Sequence, residues 1–78
     1  MPTIDRFGPY RVYIYMADQR EPAQVHVERD DLMLKIWIHD MSIAVNIGFS
    51  PREIGRILRH VKENRTKYVA KWTEIFGE

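Results

Sequence analysis

An α+β fold is predicted for this chain: an antiparallel sheet of three to four strands packed on one long C-terminal helix. Three observations predict it. Between Pro9 and His39 the chain holds short runs rich in β-branched and aromatic residues that alternate with a period of two. Polar or proline-bearing connections separate these runs. From Ser50 onward the apolar period changes to 3.6 residues and keeps its register almost to the end. At 78 residues the chain is read as a single domain, 1–78, with no internal repeat and no linker.

The first strand is placed at residues 9–17, with Tyr10, Val12, Ile14 and Met16 on one side and Arg11, Tyr13 and Tyr15 on the other. Residues 18–22 are polar, end in Pro22 and form a connection. A second strand covers 23–29. Asp30-Asp31 is a two-residue turn, and a third strand covers 32–39. A fourth strand at 41–47 rests on the alternation of Ile43, Val45 and Ile47. Ser50-Pro51-Arg52-Glu53 opens the helix. Ser50 caps the free amides, Pro51 lacks a donor that would go unpaired there, and Glu53 completes a capping box. Ile54, Ile57, Leu58, Val61, Tyr68, Val69 and Trp72 then draw one stripe as far as Phe76, with a bend anticipated near Asn64 and Gly77 as the stop. Gly55, inside the helix, costs about 1 kcal/mol against alanine and is read as a place where the helix approaches the sheet closely.

A two-residue turn at Asp30-Asp31 fixes the pairing of the second and third strands, from Arg29 with Leu32 to Gln24 with Trp37. One face then carries Val25, Val27, Leu34, Ile36 and Ile38, joined by Val12, Ile14 and Met16, and belongs under the helix. The other carries Gln24, His26, Glu28, Met33, Lys35, Trp37 and His39, joined by Arg11, Tyr13 and Tyr15. Three readings of this second face stand open. It is a solvated face with local pairing such as Glu28 to Lys35, half of a protein interface, or a stacking surface for single-stranded nucleic acid. The candidate binding residues are Tyr13, Tyr15, Gln24, His26, Glu28, Lys35 and Trp37.

Net charge is +1, which hides an asymmetry. Residues 1–49 hold five Lys/Arg against seven Asp/Glu, and residues 50–72 hold seven against two. The helix is therefore basic, and Arg52, Arg56, Arg59 and Lys62 form an alternative, nucleic-acid-binding set. The absence of cysteine excludes disulfides and thiolate zinc sites. The N-terminus lacks an apolar signal core and no stretch is long and apolar enough to span a membrane, so a cytoplasmic location without membrane association is expected.

Catalytic chemistry finds little support. His26 has Asp18, Glu21 and Glu28 near it in sequence, which leaves a minimal hydrolase or nuclease as the weakest of three functional readings. A metal needs three or four converging ligands, and only His26 and Glu28 are placed together. His60 is read as an exposed helix residue. No serine sits in a nucleophile elbow and the four glycines, at 8, 48, 55 and 77, form no phosphate-cradling loop. No cofactor and no metal are expected.

The segments Pro2-Thr3-Ile4 with Phe7, Glu21-Pro22-Ala23-Gln24-Val25-His26-Val27-Glu28-Arg29-Asp30, Lys35-Ile36-Trp37-Ile38, Asn46-Ile47-Gly48-Phe49-Ser50, Glu63-Asn64, Trp72 and Phe76-Gly77 occur in an order that resembles the small bacterial family called domain of unknown function 4160. That family carries Pro-Pro-His-x-His-Val where this chain has Pro22-Ala23-Gln24-Val25-His26-Val27. The second histidine matches His26, and Gln24 replaces the first. If the paired histidines serve a metal or acid–base role in the family, this chain has lost half of it, because glutamine carries no proton at neutral pH. The resemblance implies a stand-alone small protein encoded beside another small protein, an arrangement reminiscent of toxin–antitoxin pairs. The expected partner is a second copy of the chain or a small partner protein, with nucleic acid as the alternative.

Overall fold

The computed structural model describes residues 2–77, apart from the side chain of Asp18. Five strands form one antiparallel sheet in chain order: β1 (Thr3–Phe7), β2 (Tyr10–Tyr13), β3 (Gln24–Arg29), β4 (Leu32–Trp37) and β5 (Ile43–Ile47). Two helices follow, α1 (Pro51–Glu63) and α2 (Arg65–Phe76). The sheet therefore has one or two strands more than the sequence predicts, and the single long helix is two.

The turn at Asp30-Asp31 forms as predicted, with Asp30 at a positive φ of 54°. The β3–β4 register agrees pair by pair with expectation, from Arg29–Leu32 to Gln24–Trp37. The extra strand is β1, where Asp5 pairs with Val12 and Phe7 with Tyr10. Asp5 and Phe7 thus share the face of Val12, and a carboxylate on the apolar side conceals the alternation that marks a strand. Strand β2 stops at Tyr13, four residues short of the predicted end, and the chain turns into a 3-10 turn at Met16–Asp18. Met16, placed in the core by alternation, is accordingly 49% exposed. His39 lies beyond the end of β4, so it does not extend the row of Trp37.

The core forms where the sheet's apolar face meets the helix stripe. Val12, Val25, Val27, Leu34, Ile36 and Ile38 pack with Phe49, Ile57, Val61 and Tyr68. Removing each aliphatic side chain from water contributes roughly 1.5–3 kcal/mol. The helix breaks at Asn64, whose φ of −107° and ψ of 16° leave the helical region. Its side chain amide donates to the His60 carbonyl at 2.9 Å, and its own carbonyl accepts from the Tyr68 amide at 2.9 Å. The apolar stripe therefore continues across the break. Ser50 caps α1, its Oγ accepting from the Glu53 amide at 3.3 Å. Glu53 does not close the capping box. Its carboxylate accepts from Arg29 Nε at 2.7 Å and from the Tyr10 hydroxyl at 2.6 Å, tying the start of α1 to β2 and β3.

A second polar tie joins the two ends of the chain. Asp5 Oδ2 accepts from the Tyr68 hydroxyl at 2.6 Å and lies 3.2 Å from His60 Nε2, with Lys67 Nζ 3.4 Å from its other oxygen. Burial alone would raise the Asp5 carboxyl, but the hydrogen bonds from Tyr68, His60 and the Arg6 amide outweigh it and hold the pKa at about 2. Glu53 is also held at about 2, chiefly by Arg29 and then Tyr10. His60 is thus half-buried and engaged rather than freely exposed, and it stacks on Phe7 with ring centroids 3.6 Å apart.

Gly55 does not admit the sheet. It is exposed, and a Cβ added there would meet no other atom. Gly55→Ala is expected to stabilise the protein by about 0.5–1 kcal/mol in a urea titration, and a loss of stability would show that something needs the bare backbone. Tyr68→Phe leaves a buried carboxylate short of a donor and is expected to cost about 1–3 kcal/mol. Both Asp5 and Glu53 have folded pKa values below their unfolded ones. Their contribution is therefore full above about pH 4 and is lost as pH falls toward about 2. Unfolding free energy measured against pH should fall over that window, and Asp5→Asn should make the fall shallower. An unchanged acid slope in that variant would remove Asp5 from the explanation.

Candidate functional site

The helices occupy one face of the sheet, and strand alternation sends a different set of side chains to the other. Register aligns them in lateral rows. Tyr13, His26, Lys35 and Val45 lie side by side across β2 to β5. Arg11, Glu28, Met33 and Ile47 form the next row, and Gln24 pairs with Trp37 beyond. Of the sequence-derived candidates, the face therefore gathers Tyr13, Gln24, His26, Glu28, Lys35 and Trp37. Tyr15 joins them from the β2–β3 connection rather than from a strand.

Three of these residues are buried although no helix covers them. Gln24 is 1% exposed, and Tyr13 and His26 are 7% exposed. The β2–β3 connection returns over the face as a strap. Its Tyr15 ring meets His26 edge-on with centroids 6.0 Å apart, and Tyr13 stacks on His26 at 5.0 Å. Glu21 supplies the polar clasp: its Oε1 accepts from Gln24 Nε2 at 2.7 Å and from Lys35 Nζ at 2.8 Å. These bonds, from Lys35 first and Gln24 second, lower the Glu21 carboxyl pKa. The amide oxygen of Gln24, Oε1, is buried and accepts no hydrogen bond from the described residues.

The pairing differs from the sequence expectation. Glu28 does not meet Lys35; it takes Arg11 Nη1 at 2.6 Å, while Lys35 goes to Glu21. Glu28 is thus engaged by Arg11, which also lies 4.6 Å over the Tyr13 ring. Lys35 sits 5.1 Å over Trp37. The Tyr13 ring, with Arg11 over it and His26 stacked against it, offers little face for a nucleobase. His39 is exposed beside Asp40 at 3.5 Å and takes no place in the cluster. The side chain of Asp18, considered for His26 on sequence, lies outside the described residues. Among the described residues no group of three or more His, Asp or Glu side chains converges as a metal site would require. Among the described residues no helix is long and apolar enough to cross a membrane.

Sequence reasoning placed the face but missed its clasp. The sequence marks Glu21 as an acid near His26, whereas the structure joins it to Gln24 and Lys35. The alternative set on α1 is split by the fold. Arg52, Arg56, Arg59 and Lys62 are all exposed. Only Arg56 and Arg59 line a groove of about 420 Å³, whose other wall is the β1–β2 turn with Phe7, Pro9 and Tyr10.

The model of a family described as a domain of unknown function (DUF4160) matches residues 10–73. The chain belongs to that family. No curated protein and no solved structure matches it. The DUF4160 match takes in β2 to β5, all of α1 and most of α2, and therefore the whole of the strapped face. Strand β1, with Asp5 and Phe7, precedes it. Gln24 and His26 lie two residues apart on one face of β3.

The clasp has a measurable consequence. Glu21→Ala removes both of its bonds, so amide hydrogen exchange across residues 15–22 is expected to accelerate while β3 and β4 keep their protection. Unchanged exchange in the connection would show that the aromatic contacts alone hold it.

Proposed function

We propose that this chain is a small cytoplasmic protein-interaction module that receives a partner protein on the strapped face of its sheet. One observation carries the reading. Tyr15, Lys35 and Trp37 reach solvent on the face opposite the helices, above buried Tyr13 and His26, and this aromatic and charged surface continues into half-exposed Val45 and Ile47 at the β5 edge. Aromatic residues set among charged ones, beside an apolar margin, are the composition of an interface centre with its rim. Glu28, the nearest strand carboxylate to His26, is held by Arg11. That arrangement favours recognition over hydrolysis.

A small partner fits best, and the family's resemblance to paired small proteins supports a regulatory role as one component of a toxin–antitoxin-like pair. The competing occupant of the same face is a second copy of the chain, which the first measurement separates. Light scattering across concentration, alone and with the protein encoded beside it, is expected to give a heterocomplex. A concentration-dependent dimer would assign the face to self-association, and a strict monomer under both conditions would defeat the reading. Trp37→Ala is expected to weaken the complex by about tenfold or more while the far-ultraviolet circular dichroism stays unchanged. Full affinity in that variant would remove Trp37 from the interface.

A further inference from the structure

The groove between the β1–β2 turn and α1 belongs to the opposite side of the molecule and has a different chemistry. Its floor is apolar and aromatic: Phe7 and Tyr10 lie with ring centroids 4.9 Å apart, and Phe7 stacks on His60, which also lines the groove. One wall is cationic. Arg56 and Arg59 are three residues apart on α1, so both guanidiniums rise from the same side of the helix. Neither has a carboxylate within ion-pair distance among the described residues. Two acids at this end of the fold are committed elsewhere. Glu53 is taken by Arg29 and Tyr10, and Asp5 by Tyr68 and His60. The arginines therefore present forked donors at the mouth of an apolar slot, with Glu63 as the carboxylate of its lining.

The geometry points to a nucleoside phosphate as the ligand of this groove. A phosphate takes the paired guanidiniums bidentately, and the base lies on the Phe7–Pro9–Tyr10 floor. Glu63, one turn beyond Arg59, accepts from an exocyclic amino group. The volume of about 420 Å³ falls within the range of small-molecule sites. Arg52 and Lys62, exposed on the same helix but outside the groove, continue the positive surface along α1. That continuation suits a phosphodiester strand as well as a free nucleotide, and the two sources are separable.

The test titrates the isotope-labelled protein with adenosine monophosphate, with inorganic phosphate, and with a ten-nucleotide single-stranded oligonucleotide, following backbone and arginine side-chain resonances. Adenosine monophosphate is expected to shift Phe7, Gly8, Arg56 and Arg59 at lower concentration than phosphate alone. Arg56→Gln and Arg59→Gln should each weaken binding by about tenfold. Both residues are exposed, so the melting temperature should not change. Arg52→Gln with Lys62→Gln separates the sources. If only the oligonucleotide loses affinity, and with a shallower salt dependence, the ligand is the strand. If neither ligand is affected, it is the free nucleotide. Equal midpoints for phosphate and adenosine monophosphate would overturn the role of the apolar floor, and no shifts at millimolar concentration of any ligand would overturn the site.

Discussion

A five-stranded sheet has two faces, and this chain supplies helices for one of them. Most features of the molecule follow from that constraint. The apolar residues concentrate on the face of Val12, Val27, Leu34 and Ile36, because only there do Ile57, Val61 and Tyr68 exclude water from them. The opposite face must solve burial by other means, and it does so with long amphipathic side chains and a returning loop. Arg11 and Lys35 hold their charged groups over the Tyr13 and Trp37 rings and pair them with Glu28 and Glu21. The polar ties at Glu53 and Asp5 then fix where the helices sit on the sheet, since apolar packing alone is tolerant of sliding.

Legibility in the sequence tracked the range over which each feature is encoded. The β3–β4 pair was readable to the residue because its register depends on two adjacent aspartates and local alternation. The core followed from the same alternation. Strand β1 was not readable, because Asp5 occupies a position where a strand of this kind carries an apolar residue. The reason it does so lies in Tyr68, 63 residues away. His60 was misjudged for the same cause, its partners being Phe7 and Asp5 rather than helix neighbours. Strand β2 was overextended because Met16 happens to continue its pattern after the backbone has left the sheet.

The candidate face shows the same division. Which residues share it was legible from strand parity. What they do to one another was not. Glu28 and Lys35 invited a direct pair, but Arg11 from β2 and Glu21 from the connection each lie closer to one of them. Pairing across a sheet is decided by side-chain reach and by what a loop brings back, and neither has a sequence period. The exposure of Gly55 teaches the converse, that a residue with an evident packing rationale in the sequence has none in the fold.

The hydrogen bond between Asp5 and Tyr68 has a consequence for the order in which the molecule is made. Every strand pairs with its sequence neighbour, so the hairpins close over short loops and form early. The first strand is different, since its buried carboxylate finds its donor only after α2 has left the ribosome. Until then a nascent chain carries Asp5 on an apolar surface without its tyrosine, and docking of β1 under the helices is unfavourable. Synthesis therefore delivers the central hairpins first. The bond between Asp5 and Tyr68 needs both β1 and α2 in place before it can form.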